Sequence, residues 1–199
     1  MKVEIVGIYP EDVLKHICSI AKICRAQKSI DEIFESANKM DDSESYFWVK
    51  DLLDKGHTSI LRFAHVCWIF DDVSKVLTHQ LVRHQAGIDF MQRSDRHTTP
   101  EDIFLPSGLN RQRVHGMMDG IKSTYEYLIR EGVPKEDARY ILPQGSLTRI
   151  ACVANIESIR HIYKVRTNPA AQKEIRDAFY MLMQKIGERN GYLANIIRG

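Results

Sequence analysis

Residues 63–84 read FAHVCWIFDDVSKVLTHQLVRH, and their division into two kinds of pattern decides the fold class. Phe63 to Phe70 is apolar on both faces and rich in β-branched and aromatic residues, the composition of a strand buried in a core. Asp71 and Asp72 then offer N-cap oxygens, and Val73, Val76, Leu77 and Leu81 recur at three- and four-residue spacing, which predicts a helix. A buried strand running into an amphipathic helix makes the chain mixed.

Upstream, Met1 to Tyr9 carries Val3, Ile5, Val6 and Ile8 in a strand pattern closed by Pro10. Helices follow from Pro10 through Ala21, within Ser29 to Met40, and within Ser43 to Lys55, where Gly56 stands in a helix-terminating position. Downstream, Val114 to Glu131 predicts a long helix with Met117, Ile121, Tyr125 and Leu128 on its buried face, stopped by Gly132. Pro134 opens a short helix that Pro143 ends, and Ser146 to Ala154 is a mixed β-branched and apolar run. Asn155 is a natural N-cap for ESIRHIYKVR, Pro169 breaks that helix, and a final helix from about Ala171 to Ile186 uses Ile175, Phe179, Leu182 and Ile186. The expectation is an α+β (mixed α/β) fold: a single domain over residues 1–199, with a central, mainly antiparallel sheet flanked by helices and a helix-rich C-terminal half.

Composition narrows the function classes. At 199 residues with 44% hydrophobic and 27% charged residues, the chain can bury a core and is not a disordered one. A net charge of +2 is too small for bulk nucleic-acid or membrane binding, so neither partner is expected. With no spanning run and no signal-like N-terminus, a cytoplasmic protein is expected. Cys18, Cys24, Cys67 and Cys152 lack metal or redox spacing and read as reduced, buried or half-buried thiols.

The polar surplus begins where the opening stretch ends. Residues 83–96, RHQAGIDFMQRSDR, hold three arginines, a histidine, two glutamines and two aspartates around an Ala86-Gly87-Ile88 break. Cations in the last turn of a helix are favoured by its dipole, which is reason enough for Arg83 and His84, and Gln80 projects from the same side. The dipole does not account for Gln92, Ser94 and Arg96 beyond an irregular glycine-containing loop. Two further clusters are GHTS at 56–59 and the set Arg139, Asn155, His161 and Arg166. Arginines from separate elements suit phosphate, because the guanidinium fork matches two phosphate oxygens at once. No P-loop, dinucleotide fingerprint, nucleophile elbow or zinc-protease helix is present, and His57, His84 and His161 have no ligand spacing, so no metal is expected.

Taken together, these segments resemble the flavin-dependent thymidylate synthases. RHQAGIDFMQRSDR is similar to that family's RHRxxSxNExSxR motif, GHTS to its GHxS/T box, and THQLVRH to the helix running into the motif. GVPKEDARYILP at 132–143 and NIESIRHIYKVRTNPAAQKEIR at 155–176 resemble its later segments, and all arrive in the family's order. The resemblance implies an FAD-dependent methyltransferase that moves a one-carbon unit from methylenetetrahydrofolate to C5 of dUMP, giving dTMP, with NADPH as reductant. It implies deoxynucleotide-contacting roles for Gln80, Arg83, Gln92, Arg93, Ser94, Asp95, Arg96, Arg139 and Arg166, with Arg166 also catalytic through the uracil ring. Flavin contacts would fall to His57, Ser59, Arg83, His84, Gln85, Asn155, Glu157 and His161. A homotetramer with shared active sites is implied as well.

Departures from the pattern mark where the reaction could differ. Gln85 replaces the motif's second arginine, which would weaken electrostatic stabilisation of flavin phosphate or of reduced flavin by about 1.5–3 kcal/mol for a lost charged hydrogen bond. Asp89, Phe90 and Met91 lie where serine and asparagine are usual; Arg62 stands where an acidic residue is common, Glu157 where arginine is, and Ala170 where histidine is frequent. Hydroxymethylation or another C5 modification, and a catalytically silent nucleotide-binding homologue, are the alternatives these changes leave open.

Overall fold

The computed structural model describes residues 1–24, 26–98 and 102–199. Four strands form an antiparallel sheet in the order β1-β2-β4-β3, with β1 at Lys2–Tyr9, β2 at His65–Ser74, β3 at Ile88–Gln92 and β4 at Leu147–Asn155. The helices are α1 (Val13–Ile23), α2 (Ile30–Asn38), α3 (Asp42–Asp54), α4 (Lys75–Leu81), α5 (Arg111–Arg130), α6 (Lys135–Ala138), α7 (Ile156–Arg166), α8 (Lys173–Arg189) and α9 (Gly191–Arg198). The chain divides into two compact units. One comprises residues 1–2, 70–83 and 91–150; the other comprises 3–69, 84–90 and 151–199.

The middle of the expected strand lies where the sequence puts it, but neither end does: Phe63 closes the 3-10 segment Thr58–Phe63 and is exposed, and His65, the first strand residue, is exposed as well. β2 continues through Asp71 and Asp72 to Ser74, and it is Ser74 that caps α4, accepting from the Leu77 N–H at 3.0 Å. The two aspartates are not caps: Asp71 takes a two-point contact from Arg149 (2.9 and 2.6 Å), which holds its carboxyl below the usual range. Ser74 is 1% exposed, so no water can replace its cap. We expect Ser74→Ala to cost about 1–2 kcal/mol, measured as the shift in the urea midpoint at constant slope.

In the first unit, Phe70, Val73, Leu77, Leu81, Tyr125, Ala138 and Ile150 are buried. The start of α4 is tied down by the Lys75 and Val76 N–H groups donating to Ser146 and Gln144 carbonyls. α5 departs from its predicted face: Tyr125 is buried, but Met117 is 66% exposed. Its stop is as expected, with Gly132 at φ 84° and the Gly132 and Val133 N–H groups returning to the Ile129 and Leu128 carbonyls.

The second unit holds Leu14, Ile17, Leu61, Trp68, Ile156, Ile159, Ile162, Phe179, Leu182 and Ile186 fully buried. α1 lies against α2 and α3, and α7 lies against α8, α9 and the 3-10 segment Thr58–Phe63. The last helix is not the one predicted: Asn190 caps α9 through the Leu193 N–H, and α9 buries Leu193, Ala194, Ile196 and Ile197. Cys18 and Cys152 are buried, and burial pushes the Cys18 thiol up to about 11 and the Cys152 thiol further up; Cys24, against expectation, is exposed. Among the described residues no helix is long and apolar enough to cross a membrane.

Candidate functional site

α7 organises the candidate residues of the second unit. Its N-cap is Asn155, whose side chain accepts from the Ser158 N–H at 2.8 Å, as the sequence pattern implied. The Ala86-Gly87 break docks on that same turn: the Asn155 N–H donates to the Gly87 carbonyl (3.0 Å) and the Ser158 hydroxyl to the Ala86 carbonyl (2.7 Å). Gly87 has φ 68°, a conformation glycine adopts at no steric cost. Gln85 is exposed beside this anchor.

His84 is half-buried, and the Arg166 Nε–H donates to its Nε2 at 2.8 Å. Because guanidinium is always a donor, a bonded Nε2 must be the unprotonated nitrogen, and the neutral ring carries its proton on Nδ1. Burial, then the nearby Arg166 cation, then His161 (ring centroids 6.3 Å apart) push His84 down to about 4. A folded-state value below the ordinary 6.5 makes the unfolded chain the better proton binder between the two. His84 therefore contributes stability that is full above about pH 6.5 and is lost as pH falls toward about 4. We expect the urea midpoint to drop from pH 7 to pH 5 and His84→Gln to flatten that drop.

Glu157 and Arg62, two of the departures, meet. The Arg62 guanidinium and the Thr58 hydroxyl (2.8 Å) both donate to the Glu157 carboxylate, holding it below the usual range. The two unusual charges thus neutralise each other across 95 positions of sequence. His57 and Ser59 are exposed at the start of the adjoining 3-10 segment. Thr58, Glu157, Arg160, His161 and Lys164 line one cleft of this unit, with Arg198 at its rim. The hydroxyl and cations of this cleft are a donor set suited to the phosphates of a dinucleotide such as FAD.

The middle of the polar stretch is a strand, not the irregular loop expected. β3 runs Ile88–Gln92 at the sheet edge with only Ile88 buried and Met91 76% exposed, so its apolar face is too short to register as a pattern. Arg93 and Asp95 are engaged internally: Arg93 donates from Nη2 to the Leu147 carbonyl (2.6 Å), and Asp95, 6% exposed, pairs with Lys75. Ser94 accepts from the Arg96 N–H (3.3 Å) in an exposed turn, and Gln92 is half-buried. Arg96 and Arg139 converge on Glu136: Arg96 reaches its carboxylate (3.7 Å) and the Arg139 Nε–H its carbonyl (3.2 Å). Gln80 donates back to the Val76 carbonyl at 3.3 Å. Arg83 and His84 are not in a last helical turn, since α4 ends at Leu81 and Arg83 follows in an exposed turn.

Of the nucleotide-assigned residues, all but Arg166 belong to the first unit; of the flavin-assigned ones, all but Arg83 belong to the second. Sequence reading missed Lys75, Glu136 and Ser158. The glycine at 87 was the available signal for Ser158, since a glycine between polar residues marks a close approach. Nothing local distinguishes Lys75 or Glu136 from other surface charges. Among the described residues no three His, Cys, Asp or Glu side chains stand together as a metal site.

The profile of the family described as thymidylate synthase complementing protein matches residues 8–189. The flavin-dependent thymidylate synthase of Saccharolobus solfataricus is 31% identical over 185 residues, covering 89% of this chain and 70% of that one. A UMP/dUMP methylase, PolB, from Streptomyces cacaoi, solved with 5-Br dUMP, shares the fold with a TM-score of 0.79 at 17% identity, over 98% of this chain and 93% of that one. Thymidylate Synthase X from Helicobacter pylori, solved with FAD and dUMP, has a TM-score of 0.76 at 18% identity, over 99% and 98% of the two chains. The segments that carry the resemblance lie within the matched span, in a chain of the same fold, and this chain belongs to the flavin-dependent thymidylate synthase (thymidylate synthase complementing protein) family.

Proposed function

We propose that this chain transfers a one-carbon unit from methylenetetrahydrofolate to C5 of dUMP, with reduction through FAD, giving dTMP. The observation that carries the reading is Arg166, half-buried and bonded to a neutral His84, in a chain of this family. Arg166 holds the uracil ring and favours its N3-deprotonated form, since a fixed cation beside an ionising group lowers its pKa and leaves C5 electron-rich. Arg96 and Arg139, with Arg83, Gln80, Gln92, Arg93, Ser94 and Asp95, form the nucleotide set, Arg93 and Asp95 acting by shaping the turn that presents Ser94 and Arg96.

Arg160, Lys164, His161 and Thr58 would hold the flavin phosphates in the cleft they line with Glu157, and His57, Ser59, Gln85 and Asn155 would add the remaining flavin contacts. Bound flavin supplies the relay of the methylene carbon and the hydride, and NADPH restores its two electrons. The net exchange replaces the C5 hydrogen, which leaves as a proton, by a methyl group. The domain spans residues 1–199 and acts in the cytoplasm as a homotetramer with shared active sites.

The test is the visible spectrum of the purified protein with and without added FAD, followed by release of tritium from C5-labelled dUMP with folate and NADPH. A flavin spectrum and C5 release are expected. A protein that takes up no flavin and releases no label overturns the proposal, and a product heavier than dTMP by one oxygen replaces it with hydroxymethylation.

A further inference from the structure

We propose that His84 is a positioning residue for Arg166, accepting the Nε–H of the guanidinium and so fixing its plane toward the nucleotide, and that a proton on His84 dissolves this restraint. The inference rests on the function proposed above.

Arg166 is the last residue of α7, with a long side chain of four rotatable torsions, of which the helix backbone restricts chiefly the first. His84 restrains the far end. Residues 84–87 lie along α7: Ala86 and Gly87 are bonded to its first turn through Ser158 and Asn155, while His84 meets its last residue. The acceptor is therefore delivered by a segment anchored independently of Arg166. The contact is made through Nε, the guanidinium nitrogen nearest the side-chain stem, so a single bond there orients the whole planar fork.

The arrangement works in one protonation state only. Neutral His84 presents a lone pair at Nε2; protonated His84 presents a second N–H and a like charge to a group that has no acceptor. The titratable and charged groups set against His84 are Arg166 and His161, both from α7 and none of them acidic. Burial and these two neighbours oppose the proton, so the bond persists through the neutral range.

The test uses the full-length, flavin-loaded protein as wild type, His84→Ala and His84→Gln, whose amide oxygen can also accept. Three quantities are read: flavin per chain by absorbance, kcat and KM for dUMP across pH, and the Arg166 Nε–H resonance in proton–nitrogen correlation spectra. Wild type is expected to show a slowly exchanging Arg166 Nε–H that His84→Ala loses and His84→Gln retains. His84→Ala is expected to lower kcat per bound flavin about 10²-fold, the scale of a misplaced reacting geometry, with His84→Gln recovering at least tenfold. The acid limb of the wild-type kcat profile is expected to vanish in His84→Gln.

An Nε–H signal unaffected in His84→Ala overturns the inference, as does a kcat deficit fully explained by lost flavin. If wild type itself fails to turn over dUMP while the Nε–H signal follows His84, the proposed function fails and the restraint on Arg166 stands.

Discussion

Replacing Arg166 by alanine is expected to lower kcat on dUMP by about 10²–10³-fold, the range for removing one preorganised donor from a site of developing charge. The half-buried guanidinium is the cation proposed to face the uracil ring, and no neighbouring group set against His84 supplies a substitute charge. Arg166→Lys keeps the charge but loses the Nε–H that His84 accepts, together with the planar fork, so it is expected to recover only a small part of the rate. An independent readout accompanies the kinetics. With the cation gone, His84 should titrate above its present value of about 4, yet short of its ordinary range, because burial is the larger cause of its depression. Histidine ring chemical shifts across a pH series measure this directly. A rate within threefold of wild type for Arg166→Ala would remove Arg166 from the mechanism.

Gly87→Ala is expected to destabilise the protein by about 1.5–4 kcal/mol, combining about 1–2 kcal/mol for an L side chain in the left-handed region with about 0.5–2 kcal/mol for a damaged helix cap. The added Cβ would stand 2.1 Å from Asn155 Nδ2 and 2.5 Å from Ser158 Oγ, the two side chains that hold the first turn of α7. Either the 84–87 segment lifts off the helix or the cap breaks. Gly87→Asn separates the two causes, since asparagine tolerates positive φ but brings the same Cβ; we expect it to recover the strain share and keep the cost of the damaged cap. Urea midpoints of the two variants decide between strain and collision. Because His84 hangs from the same segment, the variant that still folds should also lose the Arg166 Nε–H signal.

Much of the fold was legible in local pattern. The buried run after Ala64, the period of α8 through Ile175, Phe179, Leu182 and Ile186, and the Asn155 cap all follow from forces acting within a few residues, and each appears where expected. The failures have equally physical origins. Asp71 and Asp72 are good caps in isolation, yet the strand extends past them because Arg149 engages Asp71, leaving the cap to Ser74. β3 is an edge strand that buries one side chain and so carries almost no alternation. Met117 sits in a helical apolar stripe, yet only Tyr125 of that stripe is buried, while Ile121 and Leu128 are half-buried and Met117 is exposed.

The candidate site divides the same way. Residue chemistry alone identified which segments are charged beyond structural need, and the order of those segments identified the family. Partner choice was invisible to it. Arg166 and His84 are 82 positions apart, Arg62 and Glu157 95, and Ser158 and Ala86 72, and no periodicity links residues at such distances. Sequence by itself determined most of the elements, the Asn155 cap and the donors and acceptors available, because those depend on short-range sterics and hydrogen bonding. Only the tertiary structure decided that Gly87 lies against the start of α7, that His84 is neutral and accepts from Arg166, and that two unusual charges cancel. Those outcomes depend on the path of the chain through space, which sets local burial and brings each charge its partner.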